Sequence, residues 1–227
     1  EERTRRKEAE ARETAERIAL ARSIWDRAVP PGGTPAEVYA RSRGITMALP
    51  PTVRFVMTPR WRDSETGEVG RDHPAMVCAL VNAPGRLVGV QCIFLQDGGR
   101  RKYERVREDG SKAKAKLTFG VIVGSAFRIG PPSDHIVICE GPEDGLTLRQ
   151  QLPDTTVWVA CGTALMSRVS LPSSIQHITL AGDNGTAGRA AVDQATAAYL
   201  DAGIAVNAIF PDEGFKDWND QLRGVRS

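Results

Sequence analysis

The sequence predicts an α/β protein: a parallel sheet with helices on both faces, preceded by a small α+β region with an antiparallel sheet. Two patterns and the break between them carry this prediction. From His135 onward, apolar runs alternate with helical patterns. HIVICE precedes GPEDGLTLRQQL, TTVWVA precedes GTALMSRVS, and QHITLAGD precedes NGTAGRAAVDQATAAYLDAG; IAVNAIF and FKDWNDQLRG complete the series. Strands that read as buried and alternate with helices imply a parallel sheet. From about Val53 to Ile129 the pattern is instead a set of short β-like runs, VRFVM, AMVCALV, RLVGVQCIFL, KLTFGVIV and SAFRI, with NAPG as a hairpin turn. GPPSD marks the linker between the two regimes.

The N-terminal part is helical. Glu1 to Ala28 is rich in Ala, Glu and Arg and free of Gly and Pro, with Ile18, Leu20, Ile24 and Trp25 offering apolar contacts near its end. PPGGTP breaks it. Thr34 then caps a short helix with Pro35 at its first position and Glu37 three residues after the cap, and Gly44 stops it. The expected organisation is a charged helix or linker over 1–30, a small α+β module over 31–130 and the α/β domain over 134–227.

Composition narrows the class. An apolar fraction of 41% and a charged fraction of 26% are those of an ordinary soluble globular protein. No apolar run approaches the roughly 18 residues of a membrane span, and no signal peptide is recognisable. Cys78, Cys92, Cys139 and Cys161 each sit in an apolar run without a C-x-x-C pair, so they read as buried hydrophobes in a reducing, cytoplasmic setting. The start, EERTRRKEAEARE, lacks a Met and reads as a piece of a longer protein.

Charge is unevenly placed. The segment Arg100–Lys116 carries eight Lys/Arg against three Asp/Glu, a local +5 in a chain whose formal total is +2. Arg100, Arg101, Lys102, Arg105, Lys112, Lys114 and Lys116 are candidates for a nucleic-acid track, with Tyr103 available to stack a base. A solvated charged hairpin is the structural alternative.

Ligands of an open parallel sheet collect beyond the carboxyl ends of its strands. Glu140 ends IVIC, Asp183 follows QHITLAG, and Asp217 lies a few residues past AIF. Acids gathered at one sheet edge repel unless a cation lies among them, and Mg²⁺ takes oxygen ligands with few carboxylates and substrate phosphates. The matching chemistry is phosphoryl or nucleotidyl transfer. Each acid also has a structural reading: Glu143 and Asp144 as first-turn acids, Asp183 as an Asx turn, and Asp217 as an N-cap with Asp220 near the third helical position.

ICEGPEDGLTL, LAGDNGTAGRAA and FKDWNDQL resemble, in order and approximate spacing, the three motifs of the Toprim domain, a Rossmann-like fold of primases, topoisomerases and certain nucleases. The resemblance covers about residues 134–225. It implies Glu140 as acid/base and metal ligand, Asp183 and Asp217 as metal ligands, and Lys216 as a catalytic group meeting phosphate. Gly141, Asp144, Asn184, Gly188 and Asp220 follow as supporting candidates, with Mg²⁺ or Mn²⁺ as cofactor. Gly185 departs from the pattern, which has a second aspartate there; Asn184, Asp212 and Glu213 are the nearby oxygens that could compensate.

IWDRAVPPGGTPAEVYARSRGI, the β-rich stretch, the basic stretch and LTFGVIVGSAFRI resemble the segment before Toprim in primase-like proteins of phages, plasmids and integrated elements. This favours primer synthesis on single-stranded DNA from nucleoside triphosphates, beside a helicase on the same or another chain. Two alternatives stay open: a catalytically weakened module that binds nucleic acid or a replication partner, and a Toprim nuclease. A flavodoxin-like phosphate binder outside the family would leave the strand-end acids without a shared role.

Overall fold

The computed structural model describes residues 1–63 and 66–226. Its elements run α1 (Glu2–Asp26), α2 (Pro35–Ser42), β1 (Val53–Pro59), β2 (Asp72–Val81), β3 (Leu87–Gln96), β4 (Arg101–Lys102), β5 (Lys116–Gly120), β6 (Ala126–Ile129), β7 (His135–Cys139), α3 (Pro142–Gln151), β8 (Thr156–Val159), β9 (His177–Ala181), α4 (Thr186–Asp201), β10 (Ala205–Ile209) and α5 (Trp218–Arg223). They fall into two compact units. One comprises residues 1–39, 53–80 and 87–122, and the other 40–52, 81–86 and 123–227.

The first unit is antiparallel. β1 pairs with β2 from Val53↔Cys78 to Pro59↔Asp72, β2 neighbours β3, and β3 pairs with both β4 and β5. β3 is buried along nearly its whole length, and α1 lies against β3 and β5. Of α1 only Ala21 and Ile24 are buried; they join Val56, Val77, Val90 and Phe94 in the core. The sparse apolar content of its first four turns explains why they stay exposed. The cap before α2 forms as its sequence predicts: Ala36 N–H donates to Thr34 Oγ1 (3.2 Å), and Gly33 N–H donates to Glu37 Oε2 (2.8 Å).

The second unit holds a mixed sheet in the order β10-β9-β7-β8-β6. β10, β9, β7 and β8 are parallel, with Cys139 opposite both Val159 and Ala181. β6 pairs antiparallel with β8, so SAFRI joins the sheet of the β-α part of the chain. Helix α4 buries Gly188, Ala191, Val192, Ala195 and Tyr199, the i, i+3, i+4, i+7 spacing of a core-facing stripe. GTALMSRVS, read as a helix, forms only a 3-10 segment, Thr163–Arg168. It fills the short run between Gly162 and the extended Val169, the kind of connector that 3-10 turns commonly form.

Candidate functional site: an acidic sheet edge and a basic cavity

The register of the parallel sheet decides which acids meet. Cys139 is level with Ala181, so Glu140 and Asp183 leave β7 and β9 at the same edge. The chain after β10 comes back to that edge through Asn184. Its backbone N–H donates to Lys216 O (2.8 Å), and its side-chain Nδ2 donates to Pro211 O, Asp212 O and Phe215 O (2.9, 3.2 and 2.9 Å). Asn184 Oδ1 accepts from Arg189 Nη2 (2.9 Å). The Asn184 amide is therefore spent on tying the second motif to the third, which brings Asp217 beside Asp183.

Burial makes this edge electrostatically costly. Glu143 and Asp144, read from sequence as first-turn acids, are buried at 4% and 7% exposure. The Asp144 carboxyl is pushed well above its ordinary range, first by burial and then by the charges of Asp217, Asp183 and Glu143. Its Oδ1 accepts from Asn219 N–H (3.0 Å), which opposes the rise. The Cys139 thiol is likewise raised by burial, then by Asp144, Asp183, Cys161 and Glu140. Glu140, Asp144, Asp183 and Asp217 thus share one field although they come from three separate sequence motifs.

Their local roles differ. Glu140 is half-buried at the end of β7, and its carbonyl accepts from Cys161 N–H (2.9 Å). Gly141 is the N-cap of α3 in an extended conformation, with Pro142 next. Asp217 does cap α5: its Oδ1 accepts from Asp220 N–H (2.7 Å). Asp220 lies 3.7 Å from Arg223 Nη1. Lys216 is exposed and lines a cavity with Gly185, Arg189 and Glu213. The Asp212 carboxylate accepts from Gln221 Nε2 (3.4 Å).

Two glycines shape the turn around Asp183. A Cβ on Gly188 would lie 2.4 Å from Asp183 O, so this position must be bare for the turn to sit on α4. Gly185 has φ +116° and ψ 162°, a region open essentially to glycine alone, and a Cβ there would meet open space. The turn at 185 is thus built around glycine in its backbone as well as in its missing carboxylate.

The donors at this edge are carboxylate oxygens, which suit a hard divalent cation. Among the described residues no three His, Cys, Asp or Glu side chains are arranged to hold an ion. The donor chemistry fits, and among the described residues the protein supplies only part of a coordination shell.

Asn219 is a residue the sequence reading passed over. It is 1% exposed, and its Nδ2 donates to Arg43 O (2.8 Å) and Thr147 Oγ1 (3.0 Å) while its backbone holds Asp144. An amide inside KDWND was the available signal. Trp218 packs: its Nε1 donates to Gly182 O (3.1 Å).

In the first unit the basic segment divides. Arg105 and Lys114 line an open cavity of about 1030 Å³, whereas Arg100, Arg101, Lys102, Lys112 and Lys116 lie outside its lining. Arg101 pairs with Asp97 (2.5 Å) and Lys112 with Glu104 (3.4 Å). The remaining cations of the cavity are Arg60, Arg71 and Arg107, of which Arg60 and Arg71 come from the segment between β1 and β2. Tyr103, expected to stack a base, has a ring face covered by Arg60, 3.9 Å from the centroid. The sequence signal for this second contribution was PRWRD, a basic-aromatic cluster between two strands.

The parallel sheet with acids at its carboxyl edge is that of a Toprim domain, and the family model described as a Toprim domain matches residues 135–225. The fold of the chain resembles that of primase catalytic domains. The chain belongs to the family described as a domain of unknown function (DUF7146), whose model matches residues 15–129, half of its length. Among solved structures it is similar to a DNA primase domain from Pseudomonas aeruginosa, at 18% identity over 87% of this chain and 70% of that one, with a TM-score of 0.58. The Aquifex aeolicus primase, with zinc-binding and RNA polymerase domains, gives 17% identity, coverage of 93% and 58%, and a TM-score of 0.64. The DnaG primase catalytic domain bound to ssDNA gives 15%, coverage of 96% and 79%, and 0.61. The chain thus spans just over half of the Aquifex protein. At these identities the likeness is one of fold. No curated protein matches the sequence. Among the described residues no helix is long and apolar enough to cross a membrane.

Proposed function

We propose that this chain is the catalytic core of a metal-dependent nucleotidyltransferase that makes short primers on single-stranded DNA from nucleoside triphosphates, in the replication of a mobile element in the cytoplasm and beside a helicase. The observation that carries the proposal is the buried Asp144 carboxyl set among Asp217, Asp183 and Glu143 at the sheet edge that Glu140 also reaches. A field this unfavourable is relieved by a cation, and its position is where an α/β sheet binds ligands.

In this reading Glu140 takes the proton from an attacking 3′ hydroxyl. The hydroxyl oxygen bonds to the α-phosphorus of the incoming nucleotide, the bond to the β-phosphate side breaks, and pyrophosphate leaves. Exposed Lys216 neutralises phosphate oxygens. Asp183 and Asp217, with Glu140 at the same edge, would supply part of the oxygen shell of Mg²⁺ or Mn²⁺, which when bound would offset the charge developing on those oxygens. With Gly185 in place of a carboxylate, triphosphate oxygens would have to complete the shell.

Gly185 also favours a second reading, a module that binds nucleic acid or a partner with its catalytic site weakened. Titration calorimetry with Mn²⁺, with and without a nucleoside triphosphate, combined with incorporation of labelled ribonucleotides on a single-stranded template, tests the pair. The first reading predicts metal binding that strengthens with nucleotide, and template-dependent product. Absence of both leaves the second reading, and cleavage of DNA without added nucleotide marks a nuclease.

A further inference from the structure

The cavity of the first unit is lined by Arg60, Trp61, Val69, Gly70 and Arg71 from one segment and by residues within 105–114 from another. In the first, Gly70 N–H donates to Trp61 O (3.1 Å), and Arg62 bridges Val69. In the second, Ala113 N–H donates to Arg105 O (2.8 Å), and Arg107 N–H donates to Ser111 O (2.8 Å). Arg60 joins them. Its Nη2 donates to Lys114 O (2.6 Å), and its guanidinium lies over the rings of Tyr103 (3.9 Å) and Phe94 (4.7 Å). Partial burial, and Arg107 nearby, lower the Arg60 pKa from its ordinary value, with Tyr103 opposing. Arg60 is therefore the floor of the cavity, leaving Arg71, Arg105, Arg107 and Lys114 as the cations toward a ligand.

The aromatic group left open is Trp61. It is 51% exposed, although it lines the cavity. A Cβ on Gly70 would fall 2.5–2.9 Å from three atoms of the indole's five-membered ring, so the ring is seated against the bare Gly70 backbone. A half-exposed tryptophan fixed by a glycine keeps its orientation at little further entropic cost, as a stacking platform requires. The acids of the cavity, Glu108 and Asp109, are outnumbered, and the Asp109 carboxylate accepts from Ser111 N–H (2.9 Å).

The geometry points to Trp61 as the base-stacking platform of a single-stranded nucleic acid whose phosphates are taken by Arg71, Arg105, Arg107 and Lys114. The four cations come from two separate segments around the opening, and about 1030 Å³ lies at the upper limit of small-ligand pockets. The site is therefore sized for several nucleotides of a strand. This deepens the proposed function, because it names the groups that hold the template and replaces Tyr103 as the stacking residue.

The test is fluorescence anisotropy with a labelled oligothymidylate and an abasic oligomer of equal length, across a salt series. The wild-type chain binds the thymidylate roughly 5–100-fold tighter than the abasic strand, the range that base–aromatic stacking supplies. Trp61→Ala loses most of that preference and keeps the salt slope; Trp61→Tyr restores most of it. Arg107→Ala with Lys114→Ala lowers the slope and keeps the preference. A Trp61→Ala protein with the wild-type preference overturns the assignment, as does equal displacement by free ATP with no dependence on strand length. A wild-type chain that retains neither oligomer removes the template-holding role itself.

Discussion

Asp144 is the residue on which burial and repulsion concentrate. The carboxyl keeps its proton to higher pH in the folded state than in the unfolded chain. Between its unfolded and folded pKa values the native state therefore binds more protons, and stability falls as pH rises through that window. Asp144→Asn keeps the acceptor for Asn219 N–H and removes the titration. In EDTA it should flatten this fall and raise the melting temperature above neutrality by at least a few degrees, about 1 kcal/mol for a chain of this size, as read by thermal melts from pH 4 to 8. Equal melting of variant and wild type across that range would show that the carboxyl is not under strain. The sequence shows Asp144 as a first-turn acid and nothing more, because its two stronger repulsive partners, Asp183 and Asp217, lie about 40 and 70 residues further on. Glu140 and Asp183 are legible as strand-end acids. Tyr103 looks free in sequence for a comparable reason: Arg60, which covers its ring, arrives from another segment.

At the scale of elements, the proposed metal-binding role falls on a residue that already has a structural one. Asp217 caps α5, and its charge also acts on Asp144. The two roles separate by substitution. Asp217→Asn keeps an N-cap acceptor and should unfold in denaturant within a few tenths of a kcal/mol of wild type while losing Mn²⁺ affinity; Asp217→Ala should lose about 0.5–2 kcal/mol as well. An Asn variant that binds Mn²⁺ like wild type would reduce Asp217 to a cap. The helices and most strands are readable from periodicity, with caps at Thr34 and Asp217 placed correctly. The 3-10 segment after β8 and the antiparallel partner of β6 are not, since both depend on contacts between residues distant in sequence. Asn184 belongs with them: its three carbonyl partners lie 27 to 31 residues ahead, and no local pattern announces them.

The molecule as a whole segregates charge by unit, with a cation-lined cavity among antiparallel strands and an acidic edge on the parallel sheet. The proposed template-dependent nucleotidyl transfer would use such a division: polyanion held by one surface, phosphate chemistry performed at another. The α/β class was readable because β-α alternation survives in the sequence of the second unit. The antiparallel region was readable from its short runs and NAPG turn. What sequence could not show was the cavity, which joins PRWRD to a hairpin more than 40 residues later. Gly185 remains the sharpest departure, and its backbone, at φ +116°, means that restoring an aspartate there would strain the turn as it rebuilt the ligand. The decisive measurement is primer synthesis on single-stranded DNA with labelled ribonucleotides and Mg²⁺ or Mn²⁺, comparing wild type with Glu140→Gln. Template-dependent short products from the wild-type chain, reduced at least about 100-fold in a variant that folds and binds strand normally, is the predicted result. Equal synthesis by both proteins, or none by the wild type, would contradict it.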